Sequence, residues 1–311
     1  MVLHILDVSN YIYAGSFFSH YIQRGVREDN GEYISNEAPI GGVAFLVREI
    51  GRLLKDKDAV IMAVFDSTPT IKREMYYETF GLEYGYKSGR KSKPAGLDDQ
   101  INYAEEILRD MGVIVQRVEG YEADDIIHTL TLCYKDDFDH IYIHTKDSDL
   151  FYLVSEHVSI DYVGTKGKHI DIYNYNVTCK KNEFTPYNTV HLRKLVAGDI
   201  SDNIPGVGQE WARLIDGVMQ PDEYRLLGDL DFARKKLKDA ITANPTQPGG
   251  HNLLRIFNIV CPLQVPYEFL NDDEQMINFD KLNYYIHDWN TSEDIWGLED
   301  MLLEYIETYY R

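Results

Sequence analysis

Acidic residues recur in this sequence where short apolar runs end: Asp7 after LHIL, Asp66 after VIMAVF, Glu122, Asp124 and Asp125 after VIVQRVEGY, and Asp147 and Asp149 after IYIHTK. In an open parallel sheet, ligands bind beyond the carboxyl ends of the strands, so these seven acids from four distant segments would share one crevice. Like charges a few Å apart repel and raise each other's pKa unless cations neutralise them. A donor set made of oxygen alone selects hard ions such as Mg²⁺ or Mn²⁺. Two such ions about 4 Å apart would activate an attacking water and stabilise the leaving oxygen of a displacement at phosphorus. Any one of these aspartates reads equally well as a helix cap or a turn residue. Four strand ends that each deliver acid argue for the metal reading. His128 and His144 fall near the acids, and both read as structural.

Two more acids, Asp199 and Asp202, stand in Gly198-Asp-Ile-Ser-Asp-Asn-Ile-Pro-Gly-Val-Gly208. Gly206 and Gly208 would let backbone approach a phosphate, with the N–H groups of a following helix pointing at it. A tight interhelical turn explains the same glycines. Basic residues gather at Tyr86-Lys-Ser-Gly-Arg-Lys-Ser-Lys93, which holds Lys87, Arg90, Lys91 and Lys93 and no acid, and again at 233–238. By itself the first run also fits a solvated loop.

The elements that must position these residues follow from periodicity. Val2–Leu6, Ala59–Phe65, Val113–Val118, His140–His144 and Val158–Tyr162 are short apolar runs rich in β-branched residues and read as buried strands. Gly41–Leu54, Gln100–Met111 and Ala123–Tyr134 carry apolar residues on a 3.6 period and read as helices. The alternation predicts a Rossmann-like α/β core over about residues 1–180, a parallel sheet with helices on both faces. Beyond Pro186 the strand signals fade. His191–Ala197, Gln209–Gly217 and Asp229–Ala243 read as short helices of a small module, and 244–250 as a turn-rich loop.

Bulk composition sets limits. The 311 residues are 44% apolar and 26% charged, enough for one large core or two unequal ones. No run approaches the roughly 20 apolar residues of a membrane span, and no basic leader precedes MVLHILDVSN, so a cytoplasmic protein with no membrane association is expected. Cys133, Cys179 and Cys261 are odd in number and far apart, which suggests neither a disulfide framework nor structural zinc. The net charge of −20 opposes nucleic-acid binding, but residues 265–311 carry twelve acids against Lys281 and Arg311, so half the excess lies in the last 47 residues. No Walker loop and no Ser-His-Asp arrangement is present.

In order along the chain, LDVSNYIY (6–13), VFDST (64–68), GYEADDIIHTL (120–130), TKDSDL (145–150) and GDISDNIPGVG (198–208) closely resemble the motifs of the 5′-nuclease superfamily. That superfamily includes phage 5′-3′ exonucleases, flap endonucleases and the N-terminal domain of bacterial DNA polymerase I. The resemblance covers about residues 1–215 and implies a PIN-like core. It implies that Asp7, Asp66, Glu122 and Asp124 hold a first metal ion with Asp125 beside them, and that Asp147, Asp149 and Asp202 hold a second with Asp199 adjacent. Residues 198–217 resemble a helix-three-turn-helix module that grips duplex backbone, where K⁺ binding is common. Tyr86, Lys87 and Arg90 resemble the base of a helical arch at about 68–100. There Lys87 and Arg90 would stabilise charge on the scissile phosphate, while Tyr86 would stack on an unpaired base. Arg73, Lys91 and Lys93 would add contacts to nucleic acid. The sequence departs from the family pattern at Glu210 and Trp211, where a Lys-Thr pair is usual, at His128, and in a longer stretch between Arg73 and Tyr86.

The expected organisation is a nuclease core at 1–185 with the arch, a helical DNA-binding module at 186–262, and an acidic segment at 263–311 that packs on the core. The expected activity is Mg²⁺- or Mn²⁺-dependent hydrolysis of DNA with 5′ single-stranded or branched ends by a monomer of bacterial or phage origin. The alternatives are an RNA-primer-removing member acting on RNA/DNA hybrids, and a non-catalytic structure-specific DNA-binding protein.

Overall fold

β-Branched runs that bury both faces can satisfy their backbone only inside a sheet, and five of the expected strands pair side by side. The structure is a computed structural model that describes residues 1–16, 21–27, 33–54, 56, 58–81, 85–90, 92–163, 168–171, 194, 198–204, 235, 250–271, 277–278 and 280–282. In chain order the elements are β1 (Val2–Asp7), α1 (Val8–Gly15), β2 (Tyr21–Arg27), β3 (Tyr33–Pro39), α2 (Gly41–Leu53), β4 (Ala59–Val64), α3 (Thr70–Phe80), α4 (Leu97–Asp110) and β5 (Ile114–Gln116). They continue with α5 (Ala123–Tyr134), β6 (His140–Thr145), a 3₁₀ turn (Ser148–Leu153), β7 (Val158–Tyr162), β8 (His169–Ile170) and α6 (Gly250–Val260).

The main sheet has strand order β5-β4-β1-β6-β7-β8. The first five are parallel, and β8 joins β7 antiparallel. A separate antiparallel hairpin, β2–β3, was not evident in the sequence, where polar residues break the alternation of Tyr21–Arg27. From β1 the chain moves outward through β4 to β5, then returns to β6 on the other side of β1. That reversal makes the β1/β6 junction the switch point at which open α/β sheets form their crevice.

Side-chain alternation divides the core into two layers. Leu6, Ala63 and Val115 pack with α1, α2 and α4 on one face, while Leu3, Ile5, Met62, Val64 and Ile143 pack with α5 on the other. Close packing of α1 on α2 depends on Gly42, because a Cβ there would lie 2.5 Å from the Ile12 carbonyl oxygen. Buried Gln100 of α4 accepts from the Gly42 N–H at 2.8 Å and ties the third helix to this pair.

Polar residues also occupy the α1/α2 side of the sheet. His4 Nδ1 lies 2.9 Å from His144 Nε2, and Asp161 of β7 lies between His144 and His169. Burial, with His4 beside it, lowers the His144 pKa to about 3. His128 on α5 is buried with Nδ1 at 2.7 Å from the Tyr152 hydroxyl, and burial lowers its pKa to about 4. Both histidines sit in the protein interior, away from the crevice.

The chain after α6 is stitched to the core by side chain–backbone hydrogen bonds. Asp125 accepts from the Leu263 N–H at 2.6 Å, Thr129 from Val265 at 2.9 Å, and Gln116 from Asn271 at 2.9 Å. The Asn278 N–H reaches the Asp110 carbonyl at 2.8 Å, and Leu282 is fully buried in the α1/α2 layer. Predicted helices at 191–197, 209–217 and 229–243 and the loop at 244–249 lie outside the described residues apart from Lys194 and Lys235. Among the described residues no helix is long and apolar enough to cross a membrane.

Candidate active site

Each strand tip delivers its acid through a local structural reason. Asp7 ends β1 and caps α1, accepting from the Asn10 N–H at 3.3 Å and from the Thr145 hydroxyl at 2.8 Å across the β1/β6 junction. Its pKa is raised to about 7 by burial, with Asp66 and Asp147 adding to the effect. Asp66 follows β4, is exposed, and accepts from Ser9 at 2.6 Å and from the Ala123 N–H at 2.9 Å, so it also serves the start of α5. Asp124, in the first turn of α5, has its pKa raised well above the ordinary value by burial, then by Asp147 and Asp7. Asp147 caps the 3₁₀ turn and accepts from the Asp149 N–H at 2.9 Å.

Glu122, one residue before α5, is treated differently. Lys72 Nζ lies 3.1 Å from it, the Tyr86 hydroxyl donates to it at 2.9 Å, and Lys87 pairs with its other oxygen. Burial alone would raise its pKa, yet Lys72 and Lys87 pull it down to about 2. Asp125 does not line the crevice. Fully buried, it pairs with Lys72 at 2.8 Å and accepts from the Glu122 and Leu263 N–H groups at 3.0 and 2.6 Å. Its expected place beside a metal is therefore corrected: it anchors Lys72, the start of α5 and the segment after α6.

A second acidic group forms where the turn 198–204 meets the 3₁₀ turn after β6. The turn is closed by paired hydrogen bonds between Asp199 and Ile204 at 2.9 and 2.7 Å. Asp199 Oδ1 accepts from Ser201 and Asp202 of its own turn, and these donors with Lys194 bring its pKa to about 2 against the effect of burial. Arg90 reaches Asp202 Oδ1 at 2.8 Å. Lys194 pairs with Asp149, approaches Asp199 at 2.9 Å, and lies 3.7 Å from Asp202. Burial and neighbouring Asp147 raise the Asp149 pKa, and Lys194 opposes them. The turn 85–90 packs on this one: the Lys87 N–H donates to the Asp202 carbonyl at 3.2 Å, Asn203 to the Gly85 carbonyl at 3.0 Å, and the Tyr76 hydroxyl to the Asn203 carbonyl at 2.8 Å.

The crevice between these groups is lined by Asp124, Asp147, Asp149 and Asp202, by Glu122, and by Lys72, Tyr86, Lys87, Arg90 and Lys194, with Val260 and Pro262 at the end of α6 closing one side. Asp7 and Asp66 do not line it, but Asp7 is within electrostatic reach of Asp66, Asp124 and Asp147. The donors are all oxygens, and Asp7 and Asp124 are crowded by other carboxylates, so the residues suit hard divalent cations. Among the described residues no three acidic, histidine or cysteine side chains converge as a ready-made cage for an ion. Ammonium and guanidinium groups occupy the oxygens instead.

Other expected contacts fall elsewhere. Tyr86, expected to stack on an unpaired base, is 4% exposed and spends its hydroxyl on Glu122. Arg73 of α3 is exposed, whereas its neighbour Lys72 turns inward and is 4% exposed. Lys93 is at the surface, paired with Asp98 at 2.7 Å. Lys91, Gly206 and Gly208, and the expected K⁺ site after residue 204, lie outside the described residues. Sequence reasoning missed Lys72 and Lys194. Lys72 lies one position from the arginine chosen, on the face of α3 that also carries buried Tyr76 at i+4, and that spacing could have exposed it. Lys194 has no local signal.

Residues 2–183 match the family described as 5′-3′ exonuclease, N-terminal resolvase-like domain. DNA polymerase I of Caldicellulosiruptor bescii is 31% identical over 246 residues, covering 77% of this chain and 28% of the polymerase. The thermostable DNA polymerase I of Thermus thermophilus is 28% identical over 260 residues, covering 81% of this chain and 28% of that protein. The chain thus spans less than a third of the length of these polymerases. Among solved structures, a bacteriophage T5 D15 flap endonuclease in a pseudo-enzyme–product complex with DNA and metal ions superposes with a TM-score of 0.52 at 14% identity, covering 99% of this chain and 100% of that one. The catalytic core of Rad2 in complex with DNA substrate gives 0.52 at 17% identity over 98% and 92% of the two chains. These likenesses show the same fold. With the family match over more than half its length, the chain belongs to the 5′-nuclease superfamily, in the family of 5′-3′ exonuclease N-terminal, resolvase-like domains.

Proposed function

We propose that the chain hydrolyses phosphodiester bonds of DNA at 5′ flaps, overhangs or nicks, with Mg²⁺ or Mn²⁺ as cofactor, leaving a 5′-phosphate. The observation that carries this reading is the convergence of acids from the start of α5, the 3₁₀ turn and the turn 198–204 on one crevice with a basic wall, with Asp7 of β1 within electrostatic reach of Asp124 and Asp147. Asp7, Asp66, Asp124 and Glu122 would hold one ion, and Asp147, Asp149 and Asp202, with Asp199 beside them, a second. Bound there, divalent cations supply an activated water and polarise the scissile phosphate. Lys87 and Arg90 face the crevice and would neutralise charge on the phosphate. Tyr86 and Lys72 hold Glu122 in place through hydrogen bonds to one of its oxygens. The family match and the neighbours, one solved with DNA and metal ions and one with DNA substrate, support the substrate class.

The test is cleavage of labelled 5′-flap, nicked and blunt DNA in Mg²⁺, Mn²⁺ or EDTA by the wild type and Asp149→Asn. Flap and nick should be cut with either metal and not in EDTA. The variant should be slower by about 100-fold or more, beyond what loss of an outer-shell partner typically causes. Cutting that persists in EDTA, or an undiminished variant, overturns the reading.

A further inference from the structure

Three carboxylates from two separate parts of the chain aim the same kind of atom at one nitrogen. Asp149 Oδ2, Asp199 Oδ2 and Asp202 Oδ2 all face Lys194 Nζ, the latter two at 2.9 and 3.7 Å. Their other oxygens have different work: Asp199 Oδ1 is taken by Ser201 and the Asp202 N–H, and Asp202 Oδ1 by Arg90. The Lys194 side chain is 16% exposed, so this ammonium lies inside the acidic group. A lysine ammonium is a compact point charge with three donors, the side-chain group nearest in form to a bound cation. Asp7 and Asp124, by contrast, are crowded chiefly by other carboxylates.

We infer that Lys194 is a built-in counter-ion that holds Asp149, Asp199 and Asp202 together when no divalent cation is present and competes with such a cation for the same three oxygens. The inference rests on the metal-dependent reading above and adds a threshold to it. A divalent ion at these oxygens would take the place of the ammonium, because two cations beside the same oxygens repel as the bare carboxylates do. Lys194 therefore acts as a positioning residue. It keeps the turn 198–204 docked on the 3₁₀ turn in the metal-free protein, and it sets how much free metal fills this group.

Manganese binding to EDTA-stripped protein without DNA tests the inference, followed by Mn²⁺ electron paramagnetic resonance together with the melting midpoint. Lys194→Met should bind one Mn²⁺ about tenfold more tightly than the wild type, the smaller end of the change that one opposite charge a few Å away makes in a carboxylate's proton affinity. Its metal-free midpoint should fall, and its Mn²⁺-saturated midpoint should match the wild type. Lys194→Arg keeps the charge and should restore wild-type affinity. Should Lys194→Met fail to fold without metal, Lys194→Gln gives the same comparison. Equal or weaker Mn²⁺ binding by the uncharged variants, beside a wild type that binds two ions, overturns the counter-ion role alone. A wild type that takes up no Mn²⁺ overturns the metal-centre reading and the inference with it.

Discussion

The acids at the strand tips and the acids beside the lysines solve the same electrostatic problem in opposite ways. Asp7, buried, and Asp124, half-buried, lie next to other carboxylates, and their pKa values rise, Asp7 to about 7. Glu122 and Asp199 are as crowded, yet Lys72 and Lys87 in one case and Ser201 and Lys194 in the other bring each to about 2. One set becomes tolerable by holding protons, the other by holding ammonium groups. Both are substitutes for a divalent cation, which would have to release the proton in the first set and displace the lysine in the second. The difference also separates fixed supports from exchangeable ones. Lys72 is buried in the crevice wall with Asp125 as a second partner, while Lys194 stands within the ligand set itself.

Breaking the fixed support should have the largest effect on stability. Lys72→Met leaves Glu122 and Asp125 buried without their shared cation and should lower folding stability by about 3–5 kcal/mol in denaturant melts. Arg73→Ala, one residue away on the exposed side of α3, should stay within about 0.5 kcal/mol. Similar losses for the two would mean that Lys72 is not the support.

The protonated set should announce itself by pH. Asp7 has an ordinary value of 3.8 and a folded value of about 7, so the native form holds more protons between them. Its contribution is complete below about pH 4 and is lost as pH rises towards 7, at up to about 1.4 kcal/mol per unit for one group. His144 has the opposite sign. With an ordinary value of 6.5 and a folded value of about 3, its contribution is lost as pH falls below 6.5. In EDTA, the wild-type melting midpoint should fall between pH 5 and 7 relative to Asp7→Asn, and saturating Mn²⁺ should remove that difference. Parallel curves for the two proteins in EDTA would show that Asp7 carries no such proton.

The smallest of these effects concerns Tyr86, which contributes one neutral donor to an otherwise cationic clamp. Tyr86→Phe keeps the ring packing and should cost about 1 kcal/mol of stability. An unchanged stability combined with weaker flap binding would return Tyr86 to a contact with substrate.

Much of the core could be read directly. Five strands, three long helices and the acids beyond the strands follow from unbroken apolar β-branched runs, from a period of 3.6 and from where each run stops, because burial and backbone hydrogen bonding act locally and leave a regular trace in residue order. The hairpin β2–β3 left no such trace, since its polar residues keep no clear alternation. Motif order was likewise enough to identify the superfamily. The sequence alone could not decide which acids would keep a proton, which would meet a lysine, and which would turn away. Asp124 and Asp125 are adjacent in α5, yet a helix points successive side chains about 100° apart, so one faces the crevice and the other a buried lysine. The same rotation buries Lys72 and exposes Arg73, and Lys194 meets Asp149 across 45 residues of chain. Charge pairing depends on distance through space rather than along the chain, so tertiary structure decided it.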